Sequence, residues 1–308
     1  MVHDASHSFF KNFQSRHVDA GGLDIFVRHA GEGDPVLLLH GFPQTHLMWR
    51  DVGPRLARRF HVVCADLPGY GQSSCPRDAP DHAAHGKRAM AQHLVRMMDE
   101  LGFARFAVVG HDRGGRVAYR MALDHPARVT HVAVLDIVTG WDAWSRADTR
   151  LALGFWPWSL LAQPAPLPER LLLGAPEAII DDALTQWGSS AATFSPHVRA
   201  AYVDALRDPA HVHAICEEYR AAATVDRAHD DADRTAGTRI NAPLLALWSG
   251  AGALNHWYDA DGGPLALWRA WARNVHGFAL SAGHFFPEEM PEQTADLLTD
   301  FLAAPNTD

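Results

Sequence analysis

Gly110-His111-Asp112-Arg113-Gly114 stands between an apolar run, Phe106-Ala107-Val108-Val109, and a helix-compatible run over 115–123. Strand, sharp turn and helix in that order make a nucleophile elbow, which lifts one side chain clear of the end of a sheet. Gly110 and Gly114 suit such a turn, because glycine removes the Cβ atoms that would collide where the turn packs against its neighbours. The central residue is a carboxylate where serine is usual. A carboxylate attacks amides and esters poorly, but it can displace a leaving group from saturated carbon and form an alkyl ester on the protein. The competing reading makes Asp112 a helix N-cap at a glycine-flanked strand end. Partners elsewhere in the chain decide between the two.

Upstream of the elbow, Val36-Leu37-Leu38-Leu39 is ended by His40-Gly41-Phe42-Pro43, and Val62-Val63-Cys64-Ala65 by Asp66-Leu67-Pro68-Gly69-Tyr70-Gly71. Short apolar runs stopped by Gly and Pro are what strands buried on both faces look like. Further strands are expected over 129–135, 244–248 and 278–280. A helix is expected over 89–101, with Met90, Leu94, Met97 and Met98 on one face. Alternating strand and helix predicts the α/β class, with a mostly parallel sheet flanked by helices. Between about 140 and 239 the rhythm stops and Trp, Pro and amphipathic segments take over, which predicts an inserted helical cap. The expected organisation is a core in two parts, 1–139 and 240–308, with the cap at 140–239. The charge-rich stretch 226–238 reads as a connection back to the core, and 303–308 as a frayed tail. There is no internal repeat.

The chain has 308 residues, 47% hydrophobic and 20% charged, enough for a sizeable core and unlike a mainly disordered chain. A net charge of -9 argues against nucleic acid or an anionic membrane as the main partner, since basic surface drives both. Three scattered cysteines, Cys64, Cys75 and Cys216, lack metal-ligand spacing and read as reduced thiols of a cytoplasmic protein. The start, Met1-Val2-His3-Asp4-Ala5-Ser6-His7, has no basic segment leading into an apolar one, and no uninterrupted apolar run reaches about 18 residues. Twenty histidines form no H-E-x-x-H spacing, so neither a metal nor another cofactor is expected.

An ester on Asp112 must be hydrolysed, which requires a base to activate water. His284, in Ser281-Ala282-Gly283-His284-Phe285-Phe286-Pro287, follows the last expected strand in a late loop that returns to the carboxyl ends of the strands in elbow-type folds. Taken alone it reads as a surface or capping histidine. The third member is an acid that fixes the imidazole tautomer. Asp136 ends Val132-Ala133-Val134-Leu135, where active sites of open α/β sheets gather, whereas 247–252, Leu-Trp-Ser-Gly-Ala-Gly, offers no carboxylate.

His40-Gly41-Phe42-Pro43, Asp66-Leu67-Pro68-Gly69-Tyr70-Gly71-Gln72-Ser73, Gly110-His111-Asp112-Arg113-Gly114-Gly115-Arg116 and Gly283-His284-Phe285 together resemble the α/β-hydrolase superfamily, and within it the haloacetate dehalogenases. The likeness spans 10–302 and implies an eight-stranded sheet with a helical cap. It implies an oxyanion hole built from the loop at Phe42 and the backbone N–H of Arg113, and assembly as a homodimer. Epoxide hydrolases share three of these motifs but usually carry Trp after the nucleophile, where this chain has Arg113.

Arg113 and Arg116 lie in the first turn of a helix, where the terminal dipole disfavours cations by roughly 0.3–1 kcal/mol each. A bound anion reverses that, and two guanidinium groups three positions apart can clamp a carboxylate with the α-carbon near Asp112. Arg120 reads as structural. In the family, cap donors hold the departing halide, and the matching segments here supply Trp158 and Tyr219. Pro157 stands where the family has a histidine, and proline has no donor. The implied substrate is a small anionic 2-haloacid, with chloroacetate and bromoacetate favoured over fluoroacetate. Epoxide hydrolysis by the same Asp112, His284 and Asp136 is the nearest alternative, with Tyr202 and Tyr219 as the cap tyrosines. A non-catalytic ligand receptor on the same fold is a distant one. Trp187 reads equally as lining the cap entrance or as packing in its helix.

Overall fold

A computed structural model describes residues 9–305, so the readings made on 1–7 and 306–308 lie outside the described residues. Eight strands form one sheet: β1 (Gln14–Asp19), β2 (Asp24–Ala30), β3 (Pro35–Leu39), β4 (His61–Ala65), β5 (Phe106–His111), β6 (Val129–Leu135), β7 (Leu244–Ser249) and β8 (Val275–Leu280). Their order is β1-β2-β4-β3-β5-β6-β7-β8. The pairs β1–β2 and β2–β4 are antiparallel, and every pair from β4–β3 to β7–β8 is parallel. Every residue of β5 is buried, as its unbroken apolar sequence requires of a central strand covered on both faces. β8 begins three residues earlier than the apolar signal. It is an edge strand, and His276, Phe278 and Ala279 are exposed, so it carries no continuous apolar run.

Helices cover the sheet. On the first half of the chain they are α1 (Gly53–Leu56), α2 (Lys87–Glu100) and α3 (Asp112–Asp124). Met90, Leu94, Met97 and Met98 of α2 are all buried as its periodicity predicted, each worth about 1.5–3 kcal/mol over an exposed position. Between β6 and β7 come only helices among the regular elements: α4 (Gly140–Ser145), α5 (Thr149–Gly154), α6 (Trp156–Leu160), α7 (Leu167–Gly174), α8 (Pro176–Gln186), α9 (Pro196–Ala205), α10 (Pro209–Ala223) and α11 (Val225–Ala236). The rest are α12 (Leu254–Trp257), α13 (Gly263–Trp271), α14 (Phe286–Glu289) and α15 (Pro291–Leu302). No helix among the described residues is long and apolar enough to cross a membrane.

The stretch 226–238 is corrected: it holds the helix α11, closed by Gly237 in the left-handed conformation at φ 68°. It lacks an apolar stripe because its inward face is acidic. Asp230 is buried and accepts from Arg120 Nη2 at 2.9 Å and Tyr119 Oη at 2.9 Å, both on α3. Arg120 is structural as expected, bonding Asp124 and Asp233 as well.

The register aligns the carboxyl ends of the central strands. Leu39 pairs with Ala65 and with Gly110, His111 with Leu135, and Leu135 with Leu247. The chain beyond those ends supplies His40, Asp66, Asp112 and Asp136 to one edge of the sheet.

Candidate active site

Asp112 follows β5 directly, at the start of α3, with φ 43° in the left-handed region, and it is buried. The elbow closes only because of its glycines. A Cβ on Gly110 would stand 2.3 Å from the carbonyl oxygen of Gly114, and one on Gly114 would stand 2.4 Å from that of His40. The Phe42 amide donates to Asp112 Oδ2 at 3.0 Å, and Arg116 Nη1 donates to Oδ1 at 3.3 Å. Burial alone would raise the Asp112 pKa. The charges of Arg116, His284 and Arg113 outweigh burial and hold it below the usual carboxylate value.

His284 and Asp136 meet across 148 positions of sequence, with His284 Nδ1 2.6 Å from Asp136 Oδ2. Asp136 adopts φ 55°, which turns its carboxylate back toward the sheet end, and its Oδ1 accepts from the Ser249 amide at 2.7 Å. The end of β7 therefore supplies an N–H that fixes Asp136. The His284 amide donates to Trp187 O at 2.9 Å, and its carbonyl faces His111 Nε2 at 2.9 Å. Trp187 stands edge-on to the imidazole at 5.4 Å and stacks on Phe285 at 5.9 Å, so it packs the loop that carries His284. Nε2 of His284 has no partner among the described residues. Burial disfavours the imidazolium, but the Asp136 hydrogen bond and the charges of Asp136 and Asp112 prevail and leave the pKa raised.

The arginines differ from the expected open pair. Arg113 Nε donates to both oxygens of Glu218 on α10, at 2.8 and 2.9 Å, and Nη2 bonds the same carboxylate. Tyr70 Oη and Lys87 Nζ complete the partners of Glu218. Two of the three nitrogens of Arg113 are thus committed to a buried acid, and only Nη1 lacks a partner. Arg116 Nη1 reaches Asp112, and its Nε is unpartnered. Trp158 lies under both guanidinium groups, its ring centre 4.5 Å from Arg116 Cζ and 5.5 Å from Arg113 Cζ. Tyr219 faces Arg113 at 4.0 Å and meets the Phe42 ring at 5.8 Å. Tyr202 is elsewhere, donating to buried Glu288 at 3.0 Å.

A small cleft opens here, with a cavity volume of about 20 Å³, well below the roughly 300–1,000 Å³ typical of sites for drug-sized ligands. Asp112, Arg116, Asp136, Trp158 and His284 line it. Sequence reasoning missed the wall opposite, formed by Phe155 with Leu254, Trp257 and Tyr258. Leu254, Trp257 and Tyr258 follow the carboxyl end of β7, and that position is itself a signal for the site although the stretch holds no carboxylate at the strand end. The Tyr258 phenol is pushed by burial up to about 12, with Arg116 opposing, so it stays a protonated donor. A larger groove, bordered by Asp34, Phe60, Arg105 and His131, lies at the opposite, amino ends of β3, β5 and β6, away from this chemistry.

A family model described as alpha/beta hydrolase fold matches residues 34–172. A fluoroacetate dehalogenase from Burkholderia sp is 41% identical over 96% of this chain and 95% of its own length. A soluble epoxide hydrolase from Corynebacterium sp. (strain C12) is 31% identical over 89% of this chain and 92% of its own. The crystal structure of a protein assigned as an alpha/beta hydrolase, from Nostoc sp PCC 7120, superposes with a TM-score of 0.92 at 44% identity, covering 96% of this chain and 100% of that one.

Proposed function

The chain belongs to the α/β-hydrolase superfamily and to its haloacetate dehalogenase family, and from that footing we propose that it hydrolyses a small 2-haloacid such as chloroacetate to the 2-hydroxy acid. An Asp112 carboxylate oxygen attacks the carbon that bears the halogen, halide leaves with the bonding electron pair, and an alkyl ester forms on the protein. His284 Nε2 then takes a proton from water, which adds to the Asp112 carboxyl carbon. The amides of Phe42 and Arg113 receive the negative charge of that tetrahedral state. Its collapse expels the alkoxide of glycolate, which takes the proton back from the His284 imidazolium that Asp136 has stabilised, and the Asp112 carboxyl group, now carrying one oxygen from water, gives its proton to solvent and returns to the carboxylate. The scheme balances without a cofactor.

The supporting observation is the arrangement around Asp112: an ionised, buried carboxylate held by the Phe42 amide, beside a His284 whose Nε2 is free and whose Nδ1 is fixed by Asp136. Arg116 and Nη1 of Arg113 would bind the substrate carboxylate, and Arg116 exchanges its contact with Asp112 for that anion. Trp158 and Tyr219 would receive the halide. Pro157 adds no donor there, which costs fluoride departure roughly 1–3 kcal/mol, about tenfold to a hundredfold in rate. The cytoplasm suits its three free cysteines, and a homodimer belongs to the same proposal.

The test is mass spectrometry of His284→Asn incubated with chloroacetate. The ester should accumulate on the peptide containing Asp112, and an unmodified Asp112 after halide release overturns the scheme. Released halide from chloro-, bromo- and fluoroacetate tests the selectivity, and fluoroacetate turned over as fast as chloroacetate refutes it. Epoxide hydrolysis is the second reading, favoured by the Corynebacterium relative and by the phenol of Tyr258 in the cleft. Styrene oxide turnover without halide release from haloacetates would decide for it.

A further inference from the structure

Between β4 and α2 the chain makes an excursion whose residues Asp78, His82 and His85 meet His213 and Glu217, one turn apart on α10. Single ligand atoms from Asp78, His85 and Glu217 all lie within 4.8 Å of one another. Two histidines extend the cluster. His213 Nε2 is 3.2 Å from Asp78 Oδ2, His85 Nε2 is 3.1 Å from Asp78 Oδ1, and His82 Nδ1 is 2.6 Å from Glu217 Oε2. Asp78, His82, His213 and Glu217 border an open depression, while His85 is buried beneath it at 1% exposure.

We propose that Asp78, His85 and Glu217 form a binding site for one divalent first-row transition cation, with His213 at its rim orienting Asp78 and zinc as the test ion. Mixed imidazole and carboxylate donors suit zinc and its neighbours better than calcium, which takes oxygen alone, or monovalent copper, which takes sulfur. Zinc bonds of about 2.0–2.2 Å put tetrahedral ligand atoms roughly 3.4 Å apart. The His85–Asp78 separation of 3.1 Å is close to that, and Glu217 lies within 4.8 Å, so closing the site on a cation requires Glu217 to move in by at most about 1.4 Å.

Outer contacts already orient the donors. His213 Nδ1 lies 3.1 Å from Glu169 Oε1, a carboxylate–histidine pairing that fixes the imidazole at the rim. Arg220 bonds Glu217 Oε1 at 2.8 Å, which leaves Oε2 toward the cluster, and its Nη2 is 2.8 Å from Glu169. Three carboxylates, Asp78, Glu217 and Glu169, against one guanidinium, Arg220, leave an excess of two acidic side chains around the imidazole donors. That matches a divalent ion. His82, at φ 62°, holds a backbone conformation rare for a side-chain-bearing residue and points at Glu217. The depression is the entry path.

A cation here ties the core excursion to the cap helix whose next residues, Glu218 and Tyr219, engage Arg113. The site stands independently of which substrate the cleft accepts. The full chain, stripped with a chelator and dialysed against zinc, should bind one zinc per chain by elemental analysis, with a higher thermal midpoint. Asp78→Asn, an exposed side chain, and His213→Asn should each weaken zinc about tenfold or more, and cobalt in place of zinc should give the visible absorption of nitrogen and oxygen coordination. Substoichiometric zinc, or wild-type affinity in both variants, overturns the proposal. If His213→Asn does not fold, Asp78→Asn and the cobalt spectrum decide it alone.

Discussion

Gly41→Ala tests the placement of the nucleophile most directly. A Cβ on Gly41 would lie 2.5 Å from Asp112 Cβ and 2.8 Å from its Oδ2. Ordinary contact begins at 3.4 Å, so the Asp112 side chain must retreat by about 0.9 Å or the Phe42 amide beside it must shift. Either movement spoils the line of attack, and a misplacement of about 1 Å costs on the order of a hundredfold, about 2.7 kcal/mol of barrier. Asp112 Cβ moves only with its own backbone, so the elbow must shift slightly, and the thermal midpoint should fall by less than in a variant that clashes with main chain alone. Gly114→Ala is the contrast: its Cβ would meet the carbonyl oxygens of His40 and Leu39 at 2.4 and 2.5 Å, backbone on both sides, and the loss there should be of folded protein. The assay is halide release from chloroacetate in a single turnover, with the ester on Asp112 counted by mass spectrometry. Gly41→Ala releasing halide within about threefold of the parent would refute the claim that Gly41 sets the position of Asp112.

Two further expectations concern protons. His284 acts as a base only when neutral, and its pKa is raised, so ester hydrolysis should rise with pH along a limb centred above 6.5. Asp136→Asn removes the main raising interactions, so the limb should move to lower pH while the plateau falls by about 10³–10⁴; an unmoved limb in a burst-and-steady-state pH series contradicts the assignment. The Asp136–His284 pair stabilises the fold below pH 6.5 and loses that contribution as pH climbs through the raised value. His40 and His111 have the opposite sign. Burial pushes His40 down to about 4, although Asp66 opposes this, and burial together with His284 pushes His111 down to about 3. His40 Nε2 accepts from the Leu67 amide at 3.0 Å, which requires the neutral ring. Both stay neutral in the fold at pH 5 while the unfolded chain takes up protons, a cost of about 2 kcal/mol each between pH 7 and 5. By urea unfolding, His111→Gln should lose about 2 kcal/mol less than the parent over that interval, and equal losses would count against it.

Of the groups at the proposed reaction site, His40, Asp112 and Asp136 were legible as a set because each sits where a strand ends, and strand ends carry a signal that needs no knowledge of distant contacts. An apolar run stops and a polar residue at its end is presented at the sheet edge: His40 after Leu39, His111 and Asp112 after Val109-Gly110, Asp136 after Leu135. Asp136 was found by elimination, since β7 ends in Ser249 and glycines, and the structure supplies the reason that position tolerates the loss. The Ser249 amide donates to Asp136 Oδ1, so β7 still contributes to holding the acid. α11 was not legible because an amphipathic helix is recognised by an apolar stripe, and here Asp226 and Asp230 form the buried face.

Pairings between cap and core carried no signal of that kind. Nothing about Cys216-Glu217-Glu218-Tyr219-Arg220 says which acid faces inward, yet Glu218 determines what Arg113 can offer a substrate. Arg113 springs from the core helix α3 and Glu218 from the cap helix α10, and Arg113 is fully buried behind the cleft, which Arg116 lines, so how many of its nitrogens are free depends on how the cap is seated. With α10 in place, Arg113 presents Nη1 alone and Arg116 supplies the mobile contact. Were α10 to withdraw, Arg113 would regain a full fork but lose the Tyr219 face and the charge that balances it and Lys87. On the proposed function, a seated cap would trade a second hydrogen bond to the substrate carboxylate for a fixed direction of the first, which would favour a substrate small enough for Arg116 to hold against Asp112.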